Sequence, residues 1–178
     1  MRTNTFILAM LLGVGVAPDF AVGPEVSQAD SRVSVIFVDP QTFTDLRNED
    51  GGPVSLSLLD QLKQFMRQTG ERCVPAGMHL EIRVTDIDLA GEFEPGRGPE
   101  FGHIRIVKDL YLPRIKLEFR LTDAQGKVVS AGERELTDPA FQTRDAFARP
   151  GNDYLRYEKD LLRDWFRHEF KSVNLAGP

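Results

Sequence analysis

The sequence predicts an α+β domain: a two-layer sandwich with one mixed, mostly antiparallel sheet and two helices on one face, its elements in the order βαββββα. Three observations lead there. Residues 113–122 alternate, with Ile115, Leu117, Phe119 and Leu121 on one side and Arg114, Lys116, Glu118 and Arg120 on the other, the pattern of a strand with one wet face. Residues 80–90, LEIRVTDIDLA, repeat that alternation through Leu80, Ile82 and Val84. Near the end of the chain, Leu155, Leu161, Leu162, Trp165, Phe166 and Phe170 share one arc of a helical wheel. Strands with a single apolar side call for a single helical layer, leaving the other face of the sheet open to water.

At the start, Arg2 precedes the uncharged apolar run 6–16, FILAMLLGVGV, which has the length of a secretory signal core and is too short to span a bilayer. Gly13 and Gly15 make it a poor buried helix. Pro18 obstructs a cut after Ala17, whereas Ser27 and Ala29 supply the small residues of a later site, so residues 1–29 are expected to be an export signal and 30–178 a single domain. No cysteine lies near this boundary. A lipid anchor is therefore not expected, nor a transmembrane segment once the signal is cleaved. Removing 29 residues from 178 leaves 149, one domain of ordinary size. With Arg2, Asp19 and Glu25 gone, the net charge of −5 becomes −4, which lacks the basic footprint of a nucleic-acid binder. Cys73, the single cysteine, has no internal disulfide partner, and Val74 beside it points to burial as a small hydrophobe.

The run 33–38, VSVIFV, reads as a strand buried on both faces and stopped by Asp39-Pro40. Residues 41–53, ending in Gly51-Gly52-Pro53, read as a surface loop. Leu58, Leu59, Leu62, Phe65 and Met66 then recur at helical spacing, with Ser57 as N-cap and Gly70 as C-cap of a helix over 58–69. Strand, helix and the 80–90 strand make one βαβ crossover. At Asp86 the alternation changes phase, because Ile87 and Leu89 occupy the parity that was polar; the strand either bulges near Thr85 and Asp86 or leaves the shelter of the helices there. Residues 91–102, GEFEPGRGPEFG, hold too many glycines and prolines for a regular element and read as a mobile loop. The glycines do not make a phosphate cradle, since a strand rather than a helix is expected after them. That strand is 103–107, HIRIV. After the strand 113–122, Asp123-Ala124-Gln125-Gly126 reads as a type I turn and 127–136 as its hairpin return. Asp138-Pro139 ends the sheet, and 140–151 is a connector with Phe141 and Phe147 as possible anchors. The closing helix starts near Asp153 and carries Arg156, Asp160, Arg163, Asp164 and Arg167 on its polar arc.

Catalytic signatures are missing. His79, His103 and His168 lack zinc-ligand spacing, and His168 reads as a surface partner of Asp164. Neither G-x-S-x-G nor H-E-x-x-H occurs, and nothing supplies Cys73 with a base. Asp86, Asp88, Glu92 and Glu94 form an acidic group of the type that holds hard cations, but without the glycine and extra oxygen donors of a calcium loop. No catalytic residue, metal or cofactor is assigned, and the balance leans away from an enzyme. The alternative from that class is a metal-assisted hydrolase using Asp86, Asp88 and His103. Candidate binding residues are Arg114, Lys116 and Arg120, which line the wet side of one strand in an acidic chain.

Three stretches, VDPQTFTDLR at 38–47, VPAGMHLEIRVTDIDLAGEFEP at 74–95 and YLRYEKDLLRDWF at 154–166, resemble an uncharacterised family of exported bacterial proteins, the domain of unknown function 3016. The resemblance runs from about Val33 to Phe170. It implies a bacterial envelope location, periplasmic or secreted, and no activity, as the family has no assigned reaction and no functional residues to carry over. The expected role is a non-catalytic binding or interaction module with an envelope protein as partner. A structural or assembly factor of the envelope is the other non-enzymatic alternative.

Overall fold

The computed structural model describes residues 31–46, 54–94, 104–145 and 153–171, within one compact unit, Ser31–Pro178. The expected signal, His103, Phe147 and most of the glycine-rich loop lie outside the described residues. Four strands form one sheet in the order β1 (Val33–Phe37), β2 (His79–Asp88), β3 (Arg114–Thr122) and β4 (Val128–Thr137). β1 runs parallel to β2, and β2, β3 and β4 are successively antiparallel. Two long helices, α1 (Leu56–Cys73) and α3 (Arg156–Glu169), pack on one side of the sheet, and a short α2 (Phe141–Asp145) lies between β4 and α3.

The core lies between sheet and helices. Leu80, Ile82 and Val84 of β2 and Ile115, Leu117, Phe119 and Leu121 of β3 meet Leu62 and Met66 of α1 and Leu162, Trp165 and Phe166 of α3. The expected phase change is a bulge: pairing shifts between Val84 and Asp86, which turns Ile87 and Leu89 into the core beside Val84. The hairpin follows its turn chemistry, with Gly126 at φ +79° and its N–H donating to the Asp123 carbonyl at 2.9 Å.

Several local expectations are corrected. β1 is buried on one side only, with Ser34 and Ile36 exposed, because it is an edge strand under a single helical layer. α1 begins earlier than predicted: Ser55, not Ser57, caps it by accepting the Leu58 N–H. It also continues past Gly70, which is buried within the helix; a Cβ there would lie 2.9 Å from Val33 Cγ2. That glycine is present for close helix-to-strand approach, not for capping. Arg32 fastens the end of the same helix to the start of β1 through Glu71 and the carbonyls of Glu71 and Val74.

The strand expected at 103–107 is reduced, among its described residues, to one bridge between Ile106 and Glu92. Residues 104–112 instead run with 90–94 as a strap across the end of the sheet. Cys73 is half-buried at the core margin rather than enclosed, and burial raises its thiol pKa. Phe141 does anchor the connector, edge-on to Tyr157 at 4.8 Å. His168 Nδ1 meets the Asp164 carbonyl at 2.9 Å, while the Asp164 carboxylate pairs with Arg167.

Candidate functional site

Strand register places Arg114, Lys116 and Arg120 in one line along β3 on the face away from the helices. None stands in an unrelieved cationic patch. Arg120 lies across from Glu81, Lys116 across from Asp86 on one side and Glu135 on the other, and Arg114 across from Asp88. Glu118, between the last two cations, faces Arg83, with Arg83 Nε 3.5 Å from its carboxylate. The result is a chequered surface of both signs. Phe119 and Gly132 sit opposite each other in β3 and β4, and around them a shallow depression of about 240 Å³ is lined by Glu81, Arg83, Arg120 and Glu133 among others.

Arg114 differs from its two neighbours. Its Nη2 donates to Asp88 Oδ2 at 3.1 Å, and its Nε is buried without a hydrogen-bond partner among the described residues. The Asp88 carboxyl is pushed up by burial, opposed by Arg114 and reinforced by the nearby Asp45, Asp86 and Glu92. Asp88 and Arg114 line a cleft of about 280 Å³ at the end of the sheet, with Glu92 and Tyr111 of the strap and Thr137 of β4.

The strap beside this cleft is held by a buried hub. Arg105 Nη2 donates to Asp45 Oδ2 at 2.5 Å, Nη1 to the Gly91 carbonyl at 2.8 Å and Nε to the Tyr154 hydroxyl at 2.8 Å. Its guanidinium also lies over the Phe93 ring, 4.6 Å from the centroid. Burial works against the charge, and Asp45 and Tyr154 more than offset it, so the Arg105 pKa is raised. Gly91, at φ +88°, makes this approach feasible: a Cβ there would sit 2.9 Å from the Ile106 carbonyl and 3.0 Å from Arg105 Cγ. Behind the strap, Glu158 of α3 is 1% exposed. One carboxyl oxygen accepts the Ala90 N–H at 2.8 Å, and the other has no partner among the described residues. Burial pushes its carboxyl pKa up to about 7, against the Ala90 amide, its own amide and Arg105, and with help from Asp153.

The acidic group singled out in the sequence does not converge. Asp86 accepts the Thr44 N–H and hydroxyl at 2.8 and 3.0 Å, Asp88 takes Arg114, Glu92 accepts the Phe93 N–H, and Glu94 pairs with Lys108 and the Tyr111 hydroxyl. Among the described residues no three His, Cys, Asp or Glu side chains are placed to hold a metal ion. Sequence reasoning missed Arg105, Asp45, Tyr154 and Glu158. Only Glu158 left a signal: it lies three residues after Leu155 and four before Leu162, a charged group inside the apolar arc of α3.

Residues 31–168 match the family model described as protein of unknown function, DUF3016. No curated protein matches the chain. A crystal structure of a minor lipoprotein from Acinetobacter baumannii shares 10% identity with it, covering 80% of this chain and 91% of that one at a TM-score of 0.28. So loose a likeness carries no argument.

Proposed function

The chain belongs to the DUF3016 family of unknown function, and from that premise we propose that it is a non-catalytic binding and interaction module of the bacterial envelope, working through the uncovered face of its sheet. The observation that carries this reading is the one-sided fold. Both long helices pack on the same face, so β2, β3 and β4 present a broad opposite surface that no layer covers among the described residues. Charges of both signs arrayed on a rigid sheet can select a partner of complementary pattern and disfavour others by like-charge contact. The N-terminal apolar run at 6–16 supports export, and no helix among the described residues is long and apolar enough to cross a membrane. Lys116 and Arg120 are the residues assigned to partner contact, with Arg114 at the end of the same row.

The test is the double charge reversal Lys116→Glu, Arg120→Glu. Crosslinking and affinity recovery from the native host should yield fewer envelope partners with the variant, and the association measured with a recovered partner should weaken as salt is added. Retention of the same partners at the same affinity would remove the face from consideration. Recovery of one obligate partner inside a large complex would identify an assembly factor instead.

A further inference from the structure

The strongest unexplained feature among the described residues is Glu158: a carboxyl 1% exposed, one of whose oxygens meets no donor. Native proteins rarely leave a buried polar atom unpaired. Its position gives the arrangement a consequence beyond packing. Glu158 lies on α3, and its other oxygen holds the Ala90 N–H, where the chain leaves β2 and enters the strap. The next residue, Gly91, receives Arg105 on its carbonyl and donates its N–H to the Tyr111 carbonyl at 3.1 Å. Residues 90–94 and 104–111 are thus joined to each other and to the helix layer, by the Glu158 carboxyl, by the Arg105–Tyr154 bond and by the packing of Ala90 and Leu112 with Tyr157.

We propose that Glu158 is a proton-controlled latch: protonated, it holds the strap against α3, and ionised, it loosens the strap and so opens the wall of the cleft between Asp88, Glu92, Tyr111 and Arg114. The physical reason is the absent second partner. A neutral carboxyl can stay in this dry site, accepting the Ala90 amide through one oxygen, at far lower desolvation cost than a carboxylate. A carboxylate there needs further donors, and the nearest route to them is water admitted by movement of the strap. The surrounding charges do not cancel this. Arg105, from the strap, attracts the carboxylate, but three of its five N–H donors already serve Asp45, Tyr154 and Gly91. Asp153, just before α3, repels it. From the loop after β1, Asp45 adds negative charge behind Arg105, and β2 ends at Asp88, a further carboxylate two residues before Ala90. The direction of the Glu158 pKa, raised by burial, agrees with a site built for the neutral form. The inference does not depend on the interaction face proposed above, since it concerns the strap and not the partner.

Amide spectra of the isotope-labelled protein between pH 5 and pH 8.5 test it. In wild type, the Ala90, Glu92, Ile106 and Tyr111 amides should shift with one common midpoint near pH 7, and in the Glu158→Gln variant that transition should be absent. Hydrogen exchange at Glu92 and Ile106, whose mutual bonds close the strap at 2.9 to 3.0 Å, should lose protection about tenfold or more from pH 5.5 to pH 8 after correction for intrinsic rate. If the Ala90 amide titrates while Ile106 and Tyr111 stay fixed, Glu158 is a local acid and no latch. If no transition occurs above pH 5.5, the proposal fails outright. The wild-type titration decides the matter even should the variant fold poorly.

Discussion

Trp165 illustrates how much one side chain carries in a core of this depth. Its ring packs edge-on to Phe119 and Phe170 at 5.9 and 5.7 Å, and its indole N–H reaches Glu169 at 3.3 Å. Trp165→Ala should lose about 3–5 kcal/mol from a total that for such domains is about 5–15 kcal/mol, seen as a large fall in the urea midpoint. Arg163→Ala, on the exposed arc of the same helix, should move it by no more than about 0.5 kcal/mol. An unchanged midpoint for the tryptophan variant would mean that the buried arc is wrongly assigned. Glu158 makes a prediction of opposite character. Its pKa rises from the ordinary 4.5 to about 7 on folding, so between those values the unfolded chain releases the proton while the folded chain keeps it. The stabilising contribution is complete below pH 4.5 and is lost as pH rises to about 7, to a limit of about 3 kcal/mol. Glu158→Gln should flatten that dependence, melting above wild type at pH 8 but not at pH 4.5; parallel melting curves at every pH would contradict it.

At the level of elements, α1 is seated by the absence of a side chain. Gly70 faces Val33 and Phe166, and a Cβ would lie 2.9 Å from Val33 Cγ2 and 3.2 Å from Phe166 Cε1. Gly70→Ala therefore sets two effects against each other. Alanine gains about 1 kcal/mol in helix propensity, whereas overpacking a filled interior costs about 1–3 kcal/mol, and the contact is with branched and aromatic carbons in the middle of the core. The net expectation is a loss of stability by chemical denaturation; a gain would show that α1 can shift along β1 without penalty. The outer strand β4 is treated differently. Among the described residues no helix covers it fully, and Arg134 closes the gap by lying over Phe119 at 5.1 Å while both oxygens of Glu169 accept from its guanidinium at 2.7 and 2.8 Å. This places a charge on the helix-facing side of an edge strand, which discourages unwanted strand addition there.

For the molecule as a whole, the one-sided sheet separates what folds the chain from what meets its surroundings, and the charged row on β3 crosses that division. Lys116→Glu with Arg120→Glu should leave the melting temperature within a few degrees, because exposed charges contribute about 0–1 kcal/mol each. Arg114→Glu should lower it further than both together, since it sets a carboxylate against Asp88 where the structure has an ion pair of 3.1 Å and a buried guanidinium nitrogen. Calorimetry of the three variants checks the order, and equal shifts would mean that Arg114 is as solvated as its neighbours.

What the sequence determined by itself was everything carried by local periodicity and turn chemistry. Alternation in 113–122 placed β3 and its buried side, the phase change at Asp86 marked where β2 departs from regular pairing, Asp123 to Gly126 set the hairpin, and the arc from Leu155 to Phe170 oriented α3. These are short-range patterns, and one apolar side per element suffices to orient each against a common core. Where only the tertiary structure decided, the deciding contact was long-range. Gly70 looked like a helix end because glycine is permissive, but Val33, a strand away, makes it an interior residue. The apolar alternation in 103–107 promised a strand, yet Arg105 is drawn to Asp45 and Tyr154, so the segment becomes a strap. Glu158 sits at a core position where the Ala90 amide, 68 residues distant in sequence, supplies a hydrogen bond. Such groups become neighbours only when separate elements close on each other, and no period within a single element encodes that meeting.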